Sequence, residues 1–230
     1  LLMDADFLLT ERLKSQIRAA VLNSPPEVTG YFVKHRYVFR GKPIRFGGTK
    51  KWWLRLVRHR QAEVDTSELV DFRLIVRGRT KKLPGFVLED NRKEYDIDFW
   101  IDKHQNFSSR MAVEELLRRK GILNWNLRPN LFGNPEQRIV WLKQRWYSLP
   151  LFVRPFLYFF YRCFVCLGFL DGVQGSLFHF LQGFWFRLIV DVKMASLYRQ
   201  IESGELSVEA LRDAFFPAAV SQSRAAGPNI

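Results

Sequence analysis

The sequence predicts an α/β amino-terminal part followed by an aromatic-rich α-helical region. Three observations carry that expectation. Extended runs of alternating character lie near 30–39 and 52–58, set off by Gly and Pro turns. A long helical pattern starts at Asp96 and stops near Gly121. Residues 141–190 hold 16 of the chain's 35 aromatic side chains. Composition divides the chain into 1–95 (mixed helix and strand), 96–200 (helical) and 201–230 (a weakly helical tail). As domains, the expected division is 1–120, 121–200 and 201–230. A length of 230 residues suits one large domain, or an ordinary one with an appendage.

The elements follow in order. Leu1-Leu2-Met3 reads as the end of a buried strand, with Asp4-Ala5-Asp6 at its carboxyl edge. Thr10 is placed to cap a helix carrying Leu13, Ile17, Ala20 and Val21 at helical spacing, ended by Asn23-Ser24-Pro25-Pro26. Tyr31, Val33, Tyr37 and Phe39 share one face of the next strand. After Gly41-Lys42-Pro43 and Gly47-Gly48, Trp52, Leu54 and Leu56 are expected on one strand face and Arg55 on the other. Arg77-Gly78-Arg79 breaks the run between 73–76 and 86–88. In the long helix, Glu114 and Glu115 pair at i,i+4 with Arg118 and Arg119, a pattern that suits a solvated face. Pro155 opens a helix to Leu167 with Gly168 beyond it, and Asp171 with Gln174 forms a capping box for a second helix reaching about Tyr198.

Apolar residues at 47% and charged residues at 26% argue against global disorder. A net charge of +13 points to an anionic partner: phosphate, nucleic acid or acidic lipid. No RNP, KH or helix-turn-helix signature accompanies the charge, so no nucleic acid is expected. Two cysteines and no signal peptide favour a reducing, cytoplasmic setting. The opening Leu1-Leu2-Met3-Asp4, without an initiator Met, reads as a fragment.

Four features could carry chemistry. Asp4-x-Asp6 can hold a hard divalent cation, which neutralises a diphosphate; the same pattern also merely terminates strands. Ten Lys and Arg with no acid lie between Val28 and Ala62, among them Arg55 beside two tryptophans. Trp100 and His104 share a helix face next to Lys103, where core packing is the default reading and a ligand role the alternative. The aromatic helices pair Phe and Trp with Arg and Lys, as helices lying in a membrane interface do, and the run from Pro155 to Leu170 is shorter than the ~20 residues that span a bilayer. Cys163 and Cys166 have zinc-like spacing without a second ligand pair and read as free thiols. Gln137-Arg138-x-Val140-Trp141 resembles the Q-x-x-R-W signature of polysaccharide synthases, but Val140 stands in the Arg position and the match is set aside.

An ordered series of motifs resembles family 2 glycosyltransferases, in the subgroup of bacterial lipopolysaccharide-core and exopolysaccharide gene sets. It comprises Leu2-Met3-Asp4-Ala5-Asp6-Phe7, Phe39-Arg40-Gly41-Lys42-Pro43, Leu54-Arg55-Leu56-x-Arg58 and Glu89-Asp90-Asn91. Phe99-Trp100-x-x-Lys103-His104, Arg154-Pro155-Phe156, Leu167-Gly168-Phe169-Leu170-Asp171-Gly172 and Phe184-Trp185-x-Arg187 continue it over roughly residues 1–198. The resemblance implies the carboxyl-terminal half of a Rossmann-like GT-A domain over 1–120 and a membrane-interface helical region over 121–200. It implies inverting transfer from a nucleotide-sugar donor to a glycan or lipid-linked acceptor, at the cytoplasmic face of the inner membrane and peripheral to it. Asp4 and Asp6 then bind Mg²⁺ or Mn²⁺, Asp4 also meets the donor, and Arg55, Glu89, Asp90, Lys103 and His104 contact donor or acceptor. Relatives carry an Asp-Glu-His type triplet where this chain has Asp71-Phe72-Arg73, which leaves Asp71 as the expected base, with Glu89 and Asp90 as substitutes. In the family the nucleotide-binding half precedes the D-x-D, so roughly a hundred residues are expected before Leu1. The alternative is a non-catalytic remnant that binds a membrane or a partner.

Overall fold

The structure is a computed structural model that describes residues 1–49, 51–70 and 73–216. It is mixed α/β. The strands are β1 (Phe7–Leu9), β2 (Val28–Phe39), β3 (Lys42–Pro43), β4 (Lys51–Val57), β5 (Ala62–Asp65), β6 (Arg73–Val76) and β7 (Arg79–Glu89). The main sheet runs β1-β7-β2, and β4 and β3 share the far edge of β2. Among the described residues only β2 and β7 pair in parallel; β5 and β6 form a separate hairpin. Helix α1 (Glu11–Asn23) buries Leu13 against Phe7, Tyr31, Val33 and Val87. Thr10 caps it, its hydroxyl accepting from the Leu13 N–H, as local chemistry predicts.

Two sheet expectations are corrected. Leu1, Leu2 and Met3 are exposed and form no strand; a single bond from Leu2 N–H to the Arg55 carbonyl runs beside β4. The strand comes after the two aspartates, because Phe7 N–H turns back to the Asp4 carbonyl and β1 then zips onto β7. In β4, Leu54 and Leu56 lie on opposite sides. Tyr31 faces Leu56 but Phe32 faces Leu54, so Arg55 is an inserted bulge residue. Leu54 therefore joins Phe32 and Leu74, whereas Leu56 joins Tyr31 and Phe7.

Helix α2 (Ile97–Arg119) begins at Asp96, whose carboxylate accepts from the Asp98 N–H. Helix α3 (Pro135–Tyr147) carries a complete capping box from Asn134 and Gln137. Helix α4 (Arg154–Phe160) continues through a π-helical turn at Tyr161–Val165. After a sharp elbow, α5 (Gly172–Phe178), a second π-helical turn (His179–Trp185) and α6 (Phe186–Glu202) complete the pair. Asp171 does not cap α5. Its Oδ2 accepts instead from the backbone N–H groups of Arg45 and Phe46, at 2.9 and 2.8 Å. Helix α7 (Val208–Phe215) tucks Leu211 into a core with Leu116, Leu117, Val190 and Met194, so this part of the tail packs; the tail's end, 217–230, lies outside the described residues.

Glu114 and Glu115 pair with Arg118 and Arg119 as spaced, but three of the four are buried and only Arg119 is exposed. Periodicity counts the pairs without showing what covers them. Here Arg154 and Asp191 do, for the Arg154 guanidinium bonds both Glu115 and Asp191 at complete burial.

The loop after β3 is locked to the elbow. Gly47 N–H donates to the Cys166 carbonyl, and Arg162 Nε donates to the Gly47 carbonyl. Gly47 has φ +73°, and a Cβ there would sit 2.0 Å from the His179 ring. Gly47→Ala is expected to cost roughly 2–4 kcal/mol through strain and overpacking. Urea unfolding measures it; a loss below about 0.5 kcal/mol would mean the loop does not rest on His179.

Candidate functional site

The site forms where β1, β4, β7 and the start of α2 meet. Asp4 and Asp6 precede β1, and pairing of Phe7 with Glu89 brings Asp6 beside the end of β7. The backbone closes this join, Asp90 N–H donating to the Asp6 carbonyl at 2.9 Å. From the bulge in β4, Arg55 Nη2 reaches to 3.6 Å of Asp4 Oδ2, and its guanidinium lies over the rings of Trp53 (4.5 Å) and Phe7 (5.4 Å). Burial of the Arg55 side chain makes this charge a fixed one, held by an aromatic wall and a carboxylate.

From α2, Lys103 Nζ donates to Glu94 Oε1 at 2.5 Å and also feels Glu89 and Asp6. Burial works against its charge, but Glu94 and then the other two carboxylates outweigh it and raise the ammonium's pKa. The Asp6 carboxyl is likewise raised, by burial first and then by the like charge of Glu89, with Asp4 adding to it. Crowded carboxylates of this kind gain from a cation between them. Glu89 also has an inner neighbour that no motif singles out. His35 Nε2 lies 2.7 Å from Glu89 Oε2, close enough for an ion pair but without hydrogen-bond alignment. The His35 ring is buried and stacked on Trp53, 4.9 Å away and tilted by 6°. Only the strand register, which sets β2 beside β7, brings the two together.

Asp4, Asp6, Arg55, Glu89 and Lys103 thus converge. Asp90 is adjacent but engaged, accepting from the Tyr95 hydroxyl at 2.8 Å. His104 is turned away. Its ring stacks on Trp100 at 3.7 Å, and Nδ1 donates to the Trp100 carbonyl, one helical turn back. Asp71 lies outside the described residues. Among the described residues, no three His, Cys, Asp or Glu side chains gather closely enough to hold a metal ion alone. A hard cation held by two carboxylates and completed by substrate phosphates needs no such trio.

Burial holds the His104 pKa at about 4, against 6.5 in the unfolded chain. Between those values the unfolded state binds more protons. Stability is therefore full above about pH 6.5 and falls as the pH drops toward 4, by on the order of 3 kcal/mol from this group. Urea midpoints at pH 7 and 4.5 measure the loss, and His104→Gln is expected to flatten it; an unchanged slope would contradict the buried neutral ring.

The other surface of note is the elbow between α4 and α5. From 152 to 170 the only charged residues are Arg154 and Arg162, and both are buried. What faces outward is apolar: Phe156, Phe160, Phe164, Val165, Phe169 and, just beyond, Val173. Among the described residues no single helix is long and apolar enough to cross a membrane; 154–165 and 168–202 reach that composition only together, bent by 68°. The thiols of Cys163 and Cys166 are free, and Cys163 is buried. No family model, curated protein or solved structure matches the chain.

Proposed function

We propose that this chain is part of a membrane-associated glycosyltransferase that moves a sugar from a nucleotide-sugar donor to a glycan or lipid-linked acceptor in cell-envelope polysaccharide synthesis. The observation that carries the reading is the convergence of Asp4, Asp6 and Glu89 with Arg55 and Lys103 from four separate stretches of sequence. These residues belong to four of the motifs that resemble family 2 glycosyltransferases. The parallel β2–β7 pair, with α1 packed beside it, is compatible with the later half of a GT-A domain.

In this reading Asp4 and Asp6 would hold Mg²⁺ or Mn²⁺, which would offset charge on the leaving diphosphate. Arg55 and Lys103 bind and orient the phosphates through charge-assisted hydrogen bonds. The acceptor hydroxyl oxygen attacks the anomeric carbon as the bond to the diphosphate breaks, giving inversion, and its proton passes to a carboxylate. Glu89 is the described carboxylate best placed for that proton, because Asp90 already holds the Tyr95 hydroxyl. The apolar elbow lies on the cytoplasmic face of the inner membrane, where a lipid-linked acceptor is presented.

Labelled sugar nucleotides with Mn²⁺ or Mg²⁺ test the chemistry. Release of nucleoside diphosphate that chelation abolishes is expected; no turnover of any donor would overturn the assignment. Vesicle flotation tests the elbow. Phe160→Ser with Phe164→Ser is expected to weaken binding about tenfold or more, since each buried ring contributes ~1–2 kcal/mol. Flotation indifferent to both substitutions would contradict the docking face. A second reading, a non-catalytic membrane- or partner-binding protein, is favoured by the uncharged elbow; flotation without donor turnover selects it.

A further inference from the structure

We infer that the cleft between β4 and α3 is an anion subsite that holds a phosphate or carboxylate carried by a sugar. It is a cavity of about 80 Å³, room for a small polar group and not for a whole sugar ring. Four cations line it, Lys51, Arg55, Arg73 and Lys143, against two carboxylates, Glu68 and Glu136. The carboxylates are already committed. Glu68 lies 3.0 Å from Arg73 Nη2 and accepts from Lys143 Nζ, and Glu136 lies 2.9 Å from Arg73 Nε. Burial pushes the Glu136 carboxyl upward, against the pull of Arg73.

Arg73 makes the cleft more than a surface cluster. Its side chain is 6% exposed, and with two of its nitrogens paired, Nη1 is buried without a hydrogen-bond partner among the described residues. A guanidinium only donates, so the group that completes it must present an oxygen. Lys51, Arg55 and Lys143 line the cleft around that donor and make an anionic oxygen the favoured one, through charge-assisted hydrogen bonds. Lys143, 27% exposed, and the exposed Lys51 leave the cleft open to solvent and to an incoming ligand.

The cleft adjoins the Asp4 and Asp6 site through one residue. Arg55 lines it while its Nη2 reaches Asp4, so a group bound there sits one side chain from the proposed donor phosphates. That the anion belongs to the acceptor rests on the transferase reading; the cleft's preference for an anion does not. Acceptors bearing a phosphate or a uronic acid are then selected over neutral glycans.

Calorimetric titration tests this with glucose 6-phosphate, glucuronate and, as the neutral control, glucose. Saturable binding of one or both anionic sugars is expected, with none of glucose, and the pair of anions tells phosphate from carboxylate. Lys143→Gln is expected to weaken binding about tenfold. Arg73→Lys keeps a charge but removes the fork, and it is expected to weaken binding at least as much if it folds; Lys143→Gln decides the matter if it does not. Absence of binding, equal binding of glucose, or affinity unchanged by Lys143→Gln overturns the subsite. Nucleoside diphosphate release measured on the same protein separates the two ideas. Turnover without anion binding removes the subsite alone, and anion binding without turnover removes the transferase reading alone.

Discussion

Asp6→Ala is expected to reduce sugar transfer by about a thousandfold or more while leaving the fold intact. Asp6 is only partly buried, and its carboxyl is raised by burial, Glu89 and Asp4, so the folded protein gains little from its charge. Removing it relieves crowding and lowers the negative charge available to a cation. Unfolding midpoints are therefore expected to stay level or rise slightly, while chelator-sensitive turnover is lost. Stability and activity moving in opposite directions is the signature of a group kept for chemistry. Turnover within a few fold of the parent would remove Asp6 from the metal site. Asp4→Ala has a further consequence, since it takes away the Arg55 counter-charge 3.6 Å away.

Arg154→Met is expected to destabilise the protein by about 3–5 kcal/mol, the usual cost of breaking a buried ion pair from one side. Arg154 is fully buried. Its Nη1 and Nη2 bond the two oxygens of Glu115 at 2.6 and 3.0 Å, and Nε bonds Asp191 Oδ1 at 2.9 Å. Glu115 keeps Arg119, 2.8 Å away, but Asp191 loses its only ion-pair partner among the described residues and keeps the Phe152 N–H. The network joins α2 and α6 to the start of α4, so its loss releases the helical elbow from the long helix. Combining Arg154→Met with Glu115→Gln and Asp191→Asn is expected to recover much of the stability, because no orphaned charge then remains. Urea unfolding of the single and triple variants measures both; a single-variant loss under 1 kcal/mol would mean that the site is open to water.

What the sequence reveals of this fold depends on how far apart the cooperating residues lie. Thr10 and Asp96 are legible as caps because each acts on an N–H two or three residues away. The Asn134 and Gln137 box carries the same local signal. Asp171 misleads by the same logic: it stands in a cap position, yet two N–H groups 125 and 126 residues away claim its carboxylate. The i,i+4 spacing of Glu115 and Arg119 is identical on a wet or a buried face, and only Arg154 and Asp191 decide between them. One inserted residue at Arg55 reverses the strand faces beyond it, and nothing local announces a bulge.

The candidate site divides in the same way. Asp4, Asp6, Arg55, Glu89 and Lys103 are legible through a motif series, and strand pairing with the start of α2 brings them together. His35 carries no motif and reaches Glu89 through the parallel β2–β7 register alone. Arg73 and Glu136 meet from strands and helices that the sequence does not pair, and so the β4–α3 cleft has no linear signature.

Paramagnetic broadening of backbone amide signals by Mn²⁺, in the presence of a nucleoside diphosphate, tests the central claim most directly. The amides of Asp4 to Phe7 and of Glu89 and Asp90 are expected to lose intensity first, with Arg55 close behind, and Asp6→Ala is expected to abolish the effect. Broadening centred elsewhere, or none at concentrations that saturate the diphosphate, would contradict a donor-diphosphate site at Asp4 and Asp6.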